Sequence, residues 1–205
     1  MSISARMTEI NRIIAGNGFS KVSFAQFSKD MAKIFPYFNN DENLDELKVM
    51  YNEIHLPSRA TDCSAGYDFY SPFQFVLRPG NTITIPTGIR AEINQTWFLM
   101  VCPKSGLGCK FHVRLTNTVG IIDSDYSNAD NEGHIFIELE IPSPGYTIPN
   151  ECFGKDLRTA IYEHKMLIGR GNKFAQGIFL PYGTSENDDS VEKIKRTGGF
   201  GSTGK

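Results

Sequence analysis

The sequence predicts an all-β sandwich or barrel with a short helical N-terminal extension. From Leu47 onward, apolar residues alternate with polar ones or run in short stretches. Gly and Pro punctuate these stretches at Pro72, Pro79-Gly80, Pro86, Gly88, Pro103 and Gly106. Almost nothing in this part keeps helical spacing, which leaves short strands joined by turns.

The first 45 residues differ. Ile10, Ile13 and Ile14 fall at helical spacing. Ser23-Phe24-Ala25-Gln26 has the form of a capping box opening a second helix. Phe24, Phe27, Met31 and Ile34 line one face of that helix, and Pro36 ends it. Asn39 to Glu46 reads as an acidic, turn-rich joint. In the β part, Ile83 and Ile85 alternate with Thr82 and Thr84, and Trp97–Cys102 is a continuous apolar run suited to a buried strand. Further strands are expected at Gln74–Arg78, Arg114–Ile122, His134–Ile141 and Lys173–Pro181. Residues 142–166 read as an inserted loop-like segment with a short helix near Asp156–Glu163. The expected organisation is an extension (1–45), a β domain (46–182) containing that insertion, and a flexible Gly-rich C-terminal arm (183–205).

A chain of 205 residues is long enough for one well-buried core. A net charge of -2 makes duplex nucleic acid a poor partner. No apolar run reaches the ~18 residues of a membrane span, and the polar N-terminus lacks a signal core, so a cytoplasmic protein is expected. Cys63, Cys102, Cys109 and Cys152 form no CxxC pair and read as reduced thiols. His55, His112, His134 and His164 are too scattered for a zinc site, and no structural metal is expected.

Chemistry concentrates in a few stretches. In Gly120-Ile121-Ile122-Asp123-Ser124-Asp125-Tyr126, a strand delivers a carboxylate and an aromatic ring beside a glycine that admits a close neighbour. That suits a pocket for a ring-shaped ligand and a group that takes a proton from water. Taken alone, the seven residues read better as an acidic turn. Lys104-Ser105-Gly106 after the apolar strand is a phosphate cradle or a plain turn. Asp68 either organises Mg²⁺ through water or caps a turn. Gly199 to Lys205 spells G-x-x-x-x-G-K, yet the sequence carries neither a hydroxyl residue after Lys205 nor the helix a P-loop needs. Phe200 among glycines suits a lid stacking on a ring as well as it suits a solvated terminus. Asp123-Ser124-Asp125 opens like an EF-hand, but Asn128 and His134 stand where Gly and Glu are required.

Five segments occur in one order: SAGYDF (64–69), PKSGLG (103–108), NTVGIIDSDY (117–126), FAQGIF (174–179) and RTGGFGSTG (196–204). Together they resemble the ordered motifs of the trimeric dUTPases. The resemblance implies a jelly-roll-like β subunit, a homotrimer with shared active sites, and Mg²⁺-dependent hydrolysis of dUTP to dUMP and pyrophosphate. It assigns Asp123 as the base that activates water against the α-phosphorus, and Tyr126 as the ring that excludes a ribose 2′-hydroxyl. Asn117, Gly120, Ile122 and the backbone at Phe136 would read uracil. Lys104, Ser105, Gly106 and Gln176 would bind phosphate, and Asp68 would hold waters of the Mg²⁺ shell. Phe200 would be the lid, with Arg196, Gly201, Ser202 and Thr203 closing on the γ-phosphate.

The chain departs from the family pattern in places. Lys104 replaces a common arginine, keeping charge but losing a bidentate fork. Arg196 stands four residues before the aromatic rather than five, with Lys195 in the usual place. Ser127–Glu132 and residues 142–166 look inserted, and with the extension they would decorate the trimer or bind a protein partner. A sister family deaminates dCTP. Glu138 matches its catalytic glutamate, but Cys109, with Lys110 beside it, stands where its arginine belongs; a deaminase or bifunctional enzyme is the alternative reading. A second alternative is a nucleotide-sensing regulator acting through the inserted segments. A third, a catalytically dead structural trimer, is weakened because base, sugar stop and tail survive together.

Overall fold

The computed structural model describes residues 16–142, 159–162, 165–188 and 198. The helix expected around Ile10–Ile14 and the tail from Asp189 onward, Gly198 apart, lie outside them. The described chain opens with strand β1 (Gly18–Lys21), which pairs antiparallel with β6 (Ile89–Glu92). Helix α1 (Phe24–Ile34) follows, capped by Ser23, whose Oγ accepts from Gln26 N at 3.1 Å. Phe27 and Met31 are wholly buried on its inner face. Phe35, the residue before Pro36, is extended because the proline ring disfavours helical backbone there.

Two 3₁₀ turns lead into helix α2 (Leu44–Asn52). The change to β thus comes after Asn52 rather than at Leu47. Asp45 and Glu46, read as part of a joint, occupy the first turn of α2, where carboxylates meet the positive end of the helix dipole. Both helices pack on the β core, which includes Val22, Phe27, Met31, Leu47 and Ile54.

The remaining elements are β2 (Ser58–Arg59), β3 (Tyr67–Tyr70), β4 (Phe75–Leu77), β5 (Thr82–Pro86), β6, β7 (Trp97–Pro103), α3 (Ser105–Phe111), β8 (Arg114–Leu115), β9 (Gly120–Ile122), β10 (Phe136–Glu140), β11 (Thr159–Tyr162), β12 (Lys165–Ile168) and β13 (Lys173–Pro181). A five-stranded sheet runs β2-β3-β13-β7-β9, beside β5-β10-β8, β11-β12-β4 and β1-β6. Among the described residues these sheets do not close into one barrel; they stack around a shared core as a jelly-roll-like sandwich. The expected strand 114–122 breaks into β8, paired with β10, and β9, paired with β7, joined by a tight hairpin turn at Thr116-Asn117 in which Leu115 bridges Thr118, with Thr118 at φ 68°. The helix expected near 156–163 is contradicted at Thr159–Tyr162, which is strand β11. Its backbone pairs with β12, and β12 pairs with β4, so a sheet edge supplies partners that a lone helical turn would lack. No helix among the described residues is long and apolar enough to cross a membrane. Cys63, Cys102 and Cys109 are free thiols.

Candidate active site

Four of the residues assigned to base reading line one hollow. Asn117, Gly120, Ile122 and Phe136, with Val101 and Glu138 behind them, surround a cavity of about 160 Å³. A cavity of roughly 150 Å³ holds a benzene ring, so the space suits one flat ring rather than a whole nucleotide. Its floor depends on Gly120, which pairs with Val101 across β9 and β7. A Cβ on Gly120 would stand 3.3 Å from Val101 Cβ, tighter than ordinary packing. Glu138 faces this hollow, and its Oε2 accepts the Thr84 hydroxyl at 2.7 Å.

Asp123 follows β9 directly and is half-buried. Its carbonyl accepts from Tyr126 N at 3.1 Å, which folds the chain into a 3₁₀ turn over Tyr126–Asn128. Tyr126 is 7% exposed. Its hydroxyl donates to the His134 carbonyl at 2.9 Å and accepts from Asn131 Nδ2 at 3.0 Å. The ring is held at both ends of a loop, close to Asp123 in the chain. Gly133 lets that loop close: its φ is +72°, and a Cβ there would lie 2.7 Å from Ser127 Cα.

The residues assigned to phosphate and Mg²⁺ gather elsewhere. Asp68 on β3 stands in register with Gln176 on β13, which stands opposite Cys102 on β7. Gln176 Nε2 donates to the Pro103 carbonyl at 3.2 Å, and Lys104 follows immediately. Lys104 Nζ donates to Asp68 Oδ1 at 2.8 Å. Lys173 Nζ lies 2.8 Å from Asp68 Oδ2, an ion pair out of line for a directed hydrogen bond. Burial alone would raise the Asp68 carboxyl, but the Lys104 hydrogen bond and the charges of Lys104 and Lys173 outweigh it and hold the group below the ordinary carboxylate range. The same partnership raises Lys173. Ser105 and Gly106 are exposed at the start of α3, where the first N–H groups of a helix have no partner within it.

Asp123 and the phosphate-end residues do not meet within one chain. β9 is antiparallel to β7 with Ile122 opposite Leu99, so Asp123 comes level with Phe98. Lys104 lies beyond the other end of β7, six residues on, about 20 Å at strand rise. Among the described residues no group of three or more His, Cys, Asp or Glu stands together. At the phosphate end of the described chain a cation would meet the buried carboxylate of Asp68, whose Oδ2 has no directed hydrogen bond.

A family model described as dUTPase matches residues 52–135, which contain Asp68, Lys104, Asn117, Gly120, Ile122, Asp123 and Tyr126. A deoxyuridine 5′-triphosphate nucleotidohydrolase of Lactococcus lactis is 35% identical over 152 residues, covering 74% of this chain and 89% of that protein. The chain belongs to the dUTPase family. A dUTPase from Streptococcus mutans aligns over 82% of this chain and 98% of its own, with 25% identity and a TM-score of 0.52. A dUTPase from phage phi11 of S. aureus, described for its coordination of a structural Mg(II) ion, aligns over 69% of this chain and 90% of its own, with 25% identity and a TM-score of 0.50.

Within this dUTPase, sequence reasoning missed Lys173, which completes the clamp on Asp68, and the pair of Asp30 and His134 behind Tyr126. Lys173 opens an expected strand, so only the pairing of β13 with β3 reveals it. Lys195, Arg196, Phe200, Gly201, Ser202 and Thr203 lie outside the described residues.

Proposed function

We propose that the chain hydrolyses dUTP to dUMP and pyrophosphate in the cytoplasm, as a homotrimer whose active sites are shared between subunits. The observation that carries this is the single-ring hollow lined by Asn117, Gly120, Ile122 and Phe136, with Asp123 and Tyr126 beside it in a dUTPase-family chain. The hollow takes uracil, whose donors and acceptors pair with backbone groups of the hairpin; cytosine would leave them unpaired, a penalty larger than a mismatch of shape. Tyr126 packs beneath the deoxyribose and leaves no room for a 2′-hydroxyl. Asp123 accepts a proton from the water that attacks the α-phosphorus, a role worth roughly 10²–10⁴ in rate. Lys104, the N–H groups of Ser105 and Gly106, and Gln176 bind the phosphates, and the Gly-rich arm with Phe200 closes over them. The separation of Asp123 from Lys104 supports sharing, because only a second copy can bring a phosphate end to each base.

The donor set fits Mg²⁺ carried by the substrate phosphates, with Asp68 holding its water shell; three-carboxylate cages are absent among the described residues. Bound there, the ion would neutralise charge developing on the phosphates. Since Lys104 and Lys173 hold Asp68, phosphates arriving at Lys104 would take over its charge and release the carboxylate.

The test is pyrophosphate release from dUTP, dTTP, dCTP and UTP, with ammonia release from dCTP measured alongside. Release from dUTP alone is expected. Ammonia from dCTP would give Glu138 the leading role, and no pyrophosphate from dUTP would remove the proposal.

A further inference from the structure

The extension and the inserted loop, unrelated in sequence, hold each other. Glu132 closes the insertion Ser127–Glu132 and reaches helix α1: Ser23 N donates to its Oε2 at 2.7 Å and Ser23 Oγ to its Oε1 at 2.6 Å. In a reciprocal capping box Gln26 would satisfy Ser23 N. Here Glu132 does so, and Gln26 Nε2 instead donates to Asp30 Oδ2 at 2.7 Å. Two hydrogen bonds from Ser23 also pull the Glu132 carboxyl below its ordinary range.

Asp30, one helical face further along, makes the second link. Its Oδ2 lies 2.7 Å from His134 Nδ1, and the His134 side chain has no solvent exposure. His134 Nε2 accepts from Gly88 N at 2.8 Å, which requires a lone pair there and leaves the ring proton on Nδ1, directed at Asp30. The imidazole is thereby fixed in tautomer and in orientation. It packs against Phe27 of α1 and Phe136, with centroids 6.2 and 4.6 Å away. The carbonyl of the same residue accepts the Tyr126 hydroxyl. One residue therefore touches the helix with its ring, the base-reading Phe136 with its face, and the sugar-excluding Tyr126 with its backbone.

We propose that α1 is a brace for the substrate-reading loop, with Asp30 and Glu132 as positioning residues that set Tyr126 and Phe136 through His134. The consequence for substrate choice rests on the reading of the hollow as a deoxyuridine site; the mechanical claim does not. Removing the Asp30 carboxylate leaves a buried N–H without an acceptor, and the loop 123–136 has to move to find one. Displacement of Tyr126 by even a fraction of an ångström opens space at the 2′ position and relaxes discrimination against UTP.

The experiment has two readouts on the full chain. Amide hydrogen exchange follows residues 123–136 against strands β7 and β13. In Asp30→Ala the loop should exchange about tenfold faster while both strands keep their protection, the mark of a local opening. Steady-state kinetics should show the dUTP-to-UTP ratio of kcat/KM falling about tenfold, mainly through a rise in kcat/KM for UTP. Asp30→Asn, which keeps an acceptor oxygen, should restore both. Glu132→Ala acts at a half-buried position and carries the same expectation at smaller amplitude, so it decides the matter if Asp30→Ala does not fold. A folded Asp30→Ala or Glu132→Ala with unchanged loop exchange overturns the brace. Altered exchange with unchanged discrimination overturns its link to the substrate, and wild-type protein inactive on dUTP overturns the function while exchange still judges the brace.

Discussion

The hollow proposed to read the base, beside β7 at Val101, and the phosphate end beyond Pro103 are held by different forces. The hollow is shaped by strand register: Gly120 against Val101, Ile122 against Leu99, Phe136 against Pro86. Its geometry follows from the backbone and needs no ligand to form. The phosphate end is a charge balance, with one buried carboxylate between two partly exposed ammonium groups. Under the proposed function, such a cluster would change partners when a polyanion arrives, and the chain would present a rigid template for the base and an exchangeable one for the phosphates.

Asp123→Asn breaks the comparison hardest. The hollow should survive, because its lining does not include the carboxylate, while turnover falls by roughly 10²–10⁴. Binding of a non-hydrolysable dUTP analogue by calorimetry, alongside single-turnover rates, separates the two effects. Weakened binding in step with lost turnover would make Asp123 part of the template rather than the base.

How much of this was legible in the sequence depends on the distance each feature spans. Strand β13 reads off Lys173–Pro181 directly, and Ser23 declares its own cap. The partner that takes over half of that cap, Glu132, lies 109 residues away, and no local pattern announces it. Likewise His134, scattered among four histidines, reads as an ordinary core imidazole until α1 brings Asp30 to it. The motif residues were visible individually; that Asp123 and Lys104 stand apart was not, because it follows from the antiparallel pairing of β7 with β9. Thr159–Tyr162 was misread because its preference is decided by the open edge of β12, not by its own four residues.

Mixing sharpens the same separation. Asp123→Asn and Lys104→Ala are each expected to be nearly inactive as pure assemblies. Dissociated and reassembled together, random trimers should regain up to about a quarter of wild-type activity, since a site then draws its base and its phosphate turn from different chains. No recovery, with mixed trimers demonstrated by mass spectrometry, would place both groups in one subunit's site.

The smallest effect concerns the phosphate end alone. The Asp68 carboxyl is depressed in the folded chain by Lys104 and Lys173. A depressed carboxyl stabilises the fold at every pH above its unfolded value of about 3.9, and that contribution disappears as pH falls through the lower folded value. Asp68→Asn should therefore melt below wild type at neutral pH. The lysine heads are 32% and 37% exposed, so solvent screening limits the cost to about 1–2 kcal/mol. From about pH 4 down through the lower folded value the two melting curves should converge, because wild type then takes up a proton at the same place. A gap that persists into acid would mean that the asparagine disturbs packing on β3 and that the charge balance contributes little. Convergence would show that the two lysines hold the carboxylate by charge, the condition under which incoming phosphates can compete for them.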